Sequence, residues 1–385
     1  LRDGERTALP AAALTPGLIT LPVSALQHAS LDALLGEGPA AEAALSELVA
    51  AAGSEALRAE ALALKARHAL KAQRFADAQA DLQRALAAAP ALAGPLLQTH
   101  LQQFERWPDR QIARAFAEHL VAARTDSTPA LRGQALLLRA RVRAALRDHA
   151  GAEADLAELQ ALAPSERLIA QAHSLSGLIA LRLGRREDAR RLIEGAEATL
   201  QAIAADSPDW AEAHLRRLTL DGIEGRPEAL VQFDRLIAAL KRRAPGSSLL
   251  GGAAFNAHLI AFTRRDYARA EAFARTSERA LIASAPGTLA LQQAQTGLGE
   301  VLLRRGASAE ALAVFEQALD TAEAIDAGSY EALSTRLQRA LAKERLGLLA
   351  AAIEDADAVL ARYAALPEAH PLRSNKFLGL FQAYA

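Results

Sequence analysis

Eight alanines set a period along this chain. Ala78, Ala113, Ala152, Ala189, Ala229, Ala270, Ala311 and Ala352 each sit in a similar helix–breaker–helix context, at separations of 35, 39, 37, 40, 41, 41 and 41 residues. A repeat of this length, roughly 20–50 residues, is the signature of a stacked architecture. One such unit cannot bury its apolar surface alone, so its neighbours must complete the core. A chain of 385 residues built this way needs no single closed core.

Within each unit the pattern reads as two helices. Twelve residues before the marker stands Ala66, Ala140, Gly177, Gly299 or Ala340, with Leu101, Arg217 and His258 in the three divergent units. Four residues after it comes Leu82, Leu156, Ile193, Phe233 or Phe315, and Ala in the others. Marker, +4 and +7 share one helical face, which gives the stripe of a half-buried helix. Breakers divide the two helices: GRRED at 184–188, EGRPE at 224–228, RRDYAR at 264–269 and RRGASAE at 304–310. Proline-bearing loops divide the units, at Pro90, Pro129, Pro164, Pro208, Pro245, Pro286 and Pro367. The small residue at −12 marks where two antiparallel helices approach most closely. Gly299 is expected opposite Ala311, with Leu298, Leu302 and Phe315 filling the space on either side.

Composition agrees. The chain is rich in Ala, Leu, Arg, Glu and Gln, which are strong helix formers, and only 4% of it is aromatic. An all-α fold follows, without strands from residue 24 onward.

Leu298-Gly299-x2-Leu302 followed by Ala311-x3-Phe315 resembles the tetratricopeptide repeat (TPR), whose motif has these residue types at these spacings. Arg74-Phe75, Ala78, Leu82, Ala85 and Pro90 give a second match. The resemblance spans residues 24–385 and is strongest at 59–90, 170–200 and 288–322. The C-terminal units are about seven residues longer than the family's usual repeat, close to two helical turns, so the helices lengthen without rotating their apolar faces. In this they resemble the sensor and regulatory TPR proteins of bacteria. The resemblance implies an α-solenoid of antiparallel hairpins over 23–385, roughly eight to nine of them. Residues 1–22 carry Pro10, Pro16, Gly17 and Pro22 without a helical period, and are read as an irregular leader or the tail of a missing upstream domain. The chain contains no Met and starts at Leu1. HPLRSNKFLGLFQAYA, residues 370–385, reads as a first helix without its partner.

Chemistry is sparse. No phosphate-cradling loop, G-x-S-x-G elbow or H-E-x-x-H pair occurs. The nine histidines are scattered, none at i, i+3 or i+4 from another, so a metal site would need ligands from separate repeats. With no cysteine, disulfides and thiolate ligation are absent. Glu187-Asp188 and Glu354-Asp355 read as solvated helix faces. These observations give a non-enzymatic protein without cofactor. Charge is balanced, 44 basic against 45 acidic residues, which removes the general pull toward nucleic acid or anionic membranes. Arg139, Arg143 and Arg147 align on one helical face, but acids alternate with the basic residues and stacking aromatics are few, so nucleic acid is disfavoured as a partner. No apolar run is long enough to span a bilayer. Location is read as cytoplasmic, with the periplasm left open.

What remains is a binding surface. By the resemblance, ligand-facing positions lie on the first helix of each unit, turned away from the small-residue crossing. Carried over, they are Leu137 and Arg141, then Ser174 and Leu178. Further on they are Phe255, Leu259 and Phe262, then Thr296, Glu300 and Leu303. Phe255 and Phe262 are two turns apart and are expected to face one groove, with Asn256 able to bond a peptide backbone. The expected partner is a protein or peptide. The alternative is the sensor or scaffold region of a larger bacterial regulator or kinase whose effector domain lies elsewhere.

Overall fold

The computed structural model describes residues 39–71, 74–101, 110–125, 127–162 and 164–365. The leader at 1–22 and the helix expected at 370–385 lie outside them. Among the described residues all regular structure is helical, as the composition requires. The chain divides into two compact units, one running through Leu96 and the other from Leu97 on.

In the first unit, α1 (Pro39–Ala50) packs on α2 (Glu55–Lys71), and α2 on α3 (Phe75–Ala88). Ala78, Leu82 and Ala85 form the buried face of α3, and Ala66 of α2 is fully buried. Arg74 donates from Nη1 to Glu42 Oε1 on α1 at 2.6 Å. A 3-10 turn, Pro90–Leu92, follows, and the division between the units falls within α4 (Ala93–Leu101).

The second unit continues with α5 (Arg110–Ala122) and then repeats a hairpin five times over. The hairpins are α6 (Pro129–Ala145) with α7 (His149–Ala161), and α8 (Glu166–Arg182) with α9 (Arg186–Ala204). Next come α10 (Pro208–Ile223) with α11 (Ala229–Arg243), and α12 (Ser248–Thr263) with α13 (Tyr267–Ser284). Then come α14 (Leu289–Arg304) with α15 (Ser308–Asp326). One more pair, α16 (Tyr330–Arg345) with α17 (Leu349–Ala364), ends the described chain. Each second helix also packs on the first helix of the next hairpin.

Local chemistry sets the ends of these helices. Thr128, Ser207, Ser247, Thr288 and Ser329 precede five of the first helices, and each hydroxyl accepts from the amide three residues on. That satisfies one of the orphan N–H groups of the first turn. Inside each of the six hairpins from α6 to α17 the chain reverses through one left-handed residue. Gly184, Gly225, Gly306 and Gly347 fill that place, and Arg147 and Arg265 fill it elsewhere, at φ 62°. The amide after it bonds back five residues, as from Ala307 to the Leu302 carbonyl at 3.0 Å, which is a Schellman closure. After the two arginines, Asp148 and Asp266 cap the second helix.

All eight marker alanines are buried, from Ala78 to Ala352. At the crossings the small residues stand where no side chain fits. A Cβ on Gly177 would lie 2.5 Å from Ile193 Cγ1 and 3.2 Å from the Ala189 carbonyl. The His258 unit solves the same crossing in reverse. His258 is buried and its Nδ1 lies 3.0 Å from the Ala270 carbonyl, while the +4 position is Ala274. The bulk has moved from one helix to the other.

Two expectations are corrected. In the α10–α11 hairpin the turn glycine, Gly225, comes four residues before Ala229 rather than five, and the register shifts by one. Leu218, fully buried, shares a cluster with Leu230 and Phe233, whereas Arg217 at the expected crossing is held by Glu197 Oε2 (2.6 Å) and Asp221 Oδ2 (2.5 Å). Asp355 is not on a solvated face. It is buried and accepts from Arg339 Nε at 2.8 Å and Lys343 Nζ at 2.7 Å. Asp155 takes the same place two hundred residues earlier, against Arg139 (2.6 Å) and Arg143 (2.9 Å). Asp81 does so against Lys65 at 3.7 Å. A basic residue thirteen before the marker and an Asp three after it thus clamp three of the hairpins.

Candidate functional site: the first-helix layer

In the second unit consecutive first helices also touch one another: α6 with α8, α8 with α10, α10 with α12, α12 with α14, and α14 with α16. They form the more closely spaced layer, and the predicted site residues all lie on it. No group of three or more metal-ligating side chains occurs among the described residues. No described helix is long and apolar enough to cross a membrane.

Most polar candidates are already engaged by side chains of the same layer. Arg141 on α6 donates from Nη2 to Glu212 Oε2 on α10 at 3.1 Å, two hairpins along. Arg216 binds the other Glu212 oxygen and donates from Nη1 to Ser174 Oγ at 2.6 Å. Burial pushes the Glu212 carboxyl up, but Arg216 and Arg141 outweigh it and hold the group below its usual range. Ser174 is itself buried. It therefore ties α8 to α10 and is not a surface group. Asn256 Nδ2 donates to Thr219 Oγ1 at 3.0 Å, joining α12 to α10. Thr296 lies 3.1 Å from Thr335 Oγ1 and accepts from Gln292 Nε2 at 3.0 Å, joining α14 to α16. Sequence reading missed Glu212, Arg216, Thr219, Gln292 and Thr335. Each is one half of a pair between repeats, and intra-repeat periodicity carries no signal for such pairs.

The aromatic candidates also differ from expectation. Phe255 and Phe262 flank buried His258, with centroid separations of 6.2 and 5.9 Å. Phe255 packs on Leu281, Ala285, Leu291 and Ala294. Phe262 packs on the main core, its ring edge-to-face with Tyr267 at 5.5 Å. Both are half-buried against helices instead of standing free in a groove. Leu137 and Leu303 are buried outright.

Three candidates stay open to solvent or lightly held. Leu259 on α12 is 44% exposed. Leu178 on α8 is half-buried. Two turns before Leu259, Gly252 has nothing within 4 Å of where a Cβ would stand. Ile223 at the end of α10 is exposed as well. Glu300 on α14 is partly buried and forms no hydrogen bond or ion pair among the described residues. Burial pushes its carboxyl up, and Arg304 one turn on draws it back only partly.

No protein-family model matches the sequence, and no curated protein is similar to it. Solved structures share its architecture. The signal-transduction ATPase with a tetratricopeptide repeat sensor from Pyrococcus horikoshii superimposes with a TM-score of 0.57 at 13% identity, over 87% of this chain and 53% of that one. Yeast Tom70 gives 0.56 at 16% identity, over 86% and 67%. A Rap protein complexed with Competence and Sporulation Factor gives 0.51 at 12% identity, over 88% and 86%. Helical hairpins, small-residue crossings and these similarities agree: the chain has the fold of a tetratricopeptide-repeat α-solenoid.

Proposed function

We propose that the chain is a non-enzymatic binding scaffold that recognises a peptide or an extended protein segment on its first-helix layer, centred on α12. One observation carries this reading. In a layer whose polar side chains mostly bond to each other, Leu259 stands exposed on the helix that, two turns earlier, leaves open space at Gly252. An exposed apolar side chain with an open glycine two turns away offers an anchor and the room for an incoming one. The Rap structure, with its factor bound, and the sensor repeat of the archaeal ATPase support the reading as analogies of fold, since function lives in the site. The second of these also supports the alternative, a sensor region acting within a larger regulator.

The test is selection of a displayed random-peptide library on the immobilised chain, followed by affinity measurement for the peptides recovered. Gly252→Leu fits the fold, since the space beside it is open, and fills the site. We expect it to abolish capture while the thermal melt stays at the parent value. Capture unchanged in Gly252→Leu and in Leu259→Arg would refute the site.

A further inference from the structure

The α12 site has a charged neighbour. α12 and α14 approach so closely that a Cβ on Gly297 would lie 2.7 Å from His258 Nε2. Leu259 follows His258 directly, and Glu300 stands one turn beyond Gly297 on the same approach. Both stand eleven residues before their markers, Ala270 and Ala311, so they hold equivalent places on adjacent first helices. The exposed apolar side chain and the carboxylate therefore hold matching places on neighbouring helices of one layer.

Glu300 differs from the paired acids of this layer, Glu212 and Asp221. Glu212 is held by two arginines, and Asp221 at the end of α10 by Arg190 (3.0 Å) and Arg217 (2.5 Å). Glu300 has no such partner, although it is partly withdrawn from water. A half-desolvated carboxylate favours a cation brought to it, because the pair interacts more strongly there than in bulk water. Such charge complementarity sets specificity more than raw affinity.

Resting on the peptide-binding reading above, we infer that the ligand is a cationic apolar peptide: an aliphatic or aromatic side chain seats against Leu259 and Gly252, and a Lys or Arg, or a free terminal amine, pairs with the Glu300 carboxylate. Asn256 and Thr296, bonded across the layer, hold the helices on either side in place and need not contact the ligand.

A positional-scanning library of fluorescein-labelled hexapeptides, read by anisotropy, tests this with the full chain. The parent should select an apolar residue at one position and Lys or Arg at another. Blocking the peptide amine by acetylation separates a terminal amine from a side-chain cation. Glu300→Gln should keep the apolar preference and lose the cationic one, with affinity for the best basic peptide falling at least tenfold. Glu300→Lys should turn the preference toward Asp or Glu. Circular dichroism melts check that both variants stay folded. Apolar selection with no cationic preference in the parent, or an unchanged preference in both variants, overturns this inference and leaves the scaffold reading standing. If no peptide is selected from any pool, both fall.

Discussion

Gly299 lies directly beneath the ring of Phe315. A Cβ built on it would come within 2.5 Å of Phe315 Cε1 and 2.6 Å of Cζ, and the ring is fully buried. The two residues come from opposite helices of one hairpin, and each defines the room the other has. Gly299→Leu should cost about 1–3 kcal/mol by overpacking, and Phe315→Ala about 3–5 kcal/mol through the cavity it leaves. The two effects should not add. In the Phe315→Ala background the leucine has space, so chemical denaturation of the four proteins should show favourable coupling. Strict additivity would mean the two groups do not touch.

The Asp155 clamp is a buried ion network, and removing its acid leaves Arg139 and Arg143 without their main partner. Glu118 still reaches both, at 2.8 and 2.6 Å. Breaking a buried pair on one side typically costs about 3–5 kcal/mol, so Asp155→Ala should approach the lower end of that range. Asp148→Ala removes a helix cap and two long ion pairs, to Arg114 at 3.8 Å and Arg143 at 4.0 Å, and should cost about 0.5–2 kcal/mol. Equal midpoints for the two variants in urea titration would contradict the clamp.

Left-handed turn residues make a paired prediction. Gly306 sits at φ 81° with open space around it, so Gly306→Ala is penalised by backbone conformation alone, by about 1–2 kcal/mol. Arg265 takes the same turn position at φ 62°. Arg265→Gly should therefore stabilise by up to ~1 kcal/mol, net of the entropy glycine loses on folding. Differential scanning calorimetry should move the two melting temperatures in opposite directions.

His258 predicts a pH dependence with a definite sign. Burial lowers its pKa, and the Ala270 carbonyl opposes this only in part. The unfolded chain takes up a proton near pH 6.5, while the folded chain does so only at lower pH. Unfolded protein thus binds more protons in that window, and stability falls as pH drops below about 6.5, whereas above it the term is constant. His258→Asn can still donate to the Ala270 carbonyl but cannot titrate there. The drop in melting temperature between pH 7 and pH 5.5 should be smaller in this variant than in the parent. An identical drop would place the titration elsewhere.

Much of the architecture is legible in the sequence because its causes are local. Eight alanines recur because the hairpin crossing excludes larger side chains, and all eight are buried in the structure. Helix formers, prolines between the units and glycine in the turns each act within a few residues of their own position, so a linear reading finds them. The tertiary structure decided what depends on pairs. It moved the α10 register by one residue, because Gly225 makes a shorter turn. It accommodated His258 at a crossing, because Ala274 opposite is small. It buried Asp355 against Arg339 and Lys343, which look like separate surface charges in the chain. It also engaged Arg141, Ser174, Asn256 and Thr296 with side chains from other repeats and packed Phe255 and Phe262 against neighbouring helices. Leu259 and Glu300 were left available, since whether a side chain on the layer is free is settled by residues forty or more positions away.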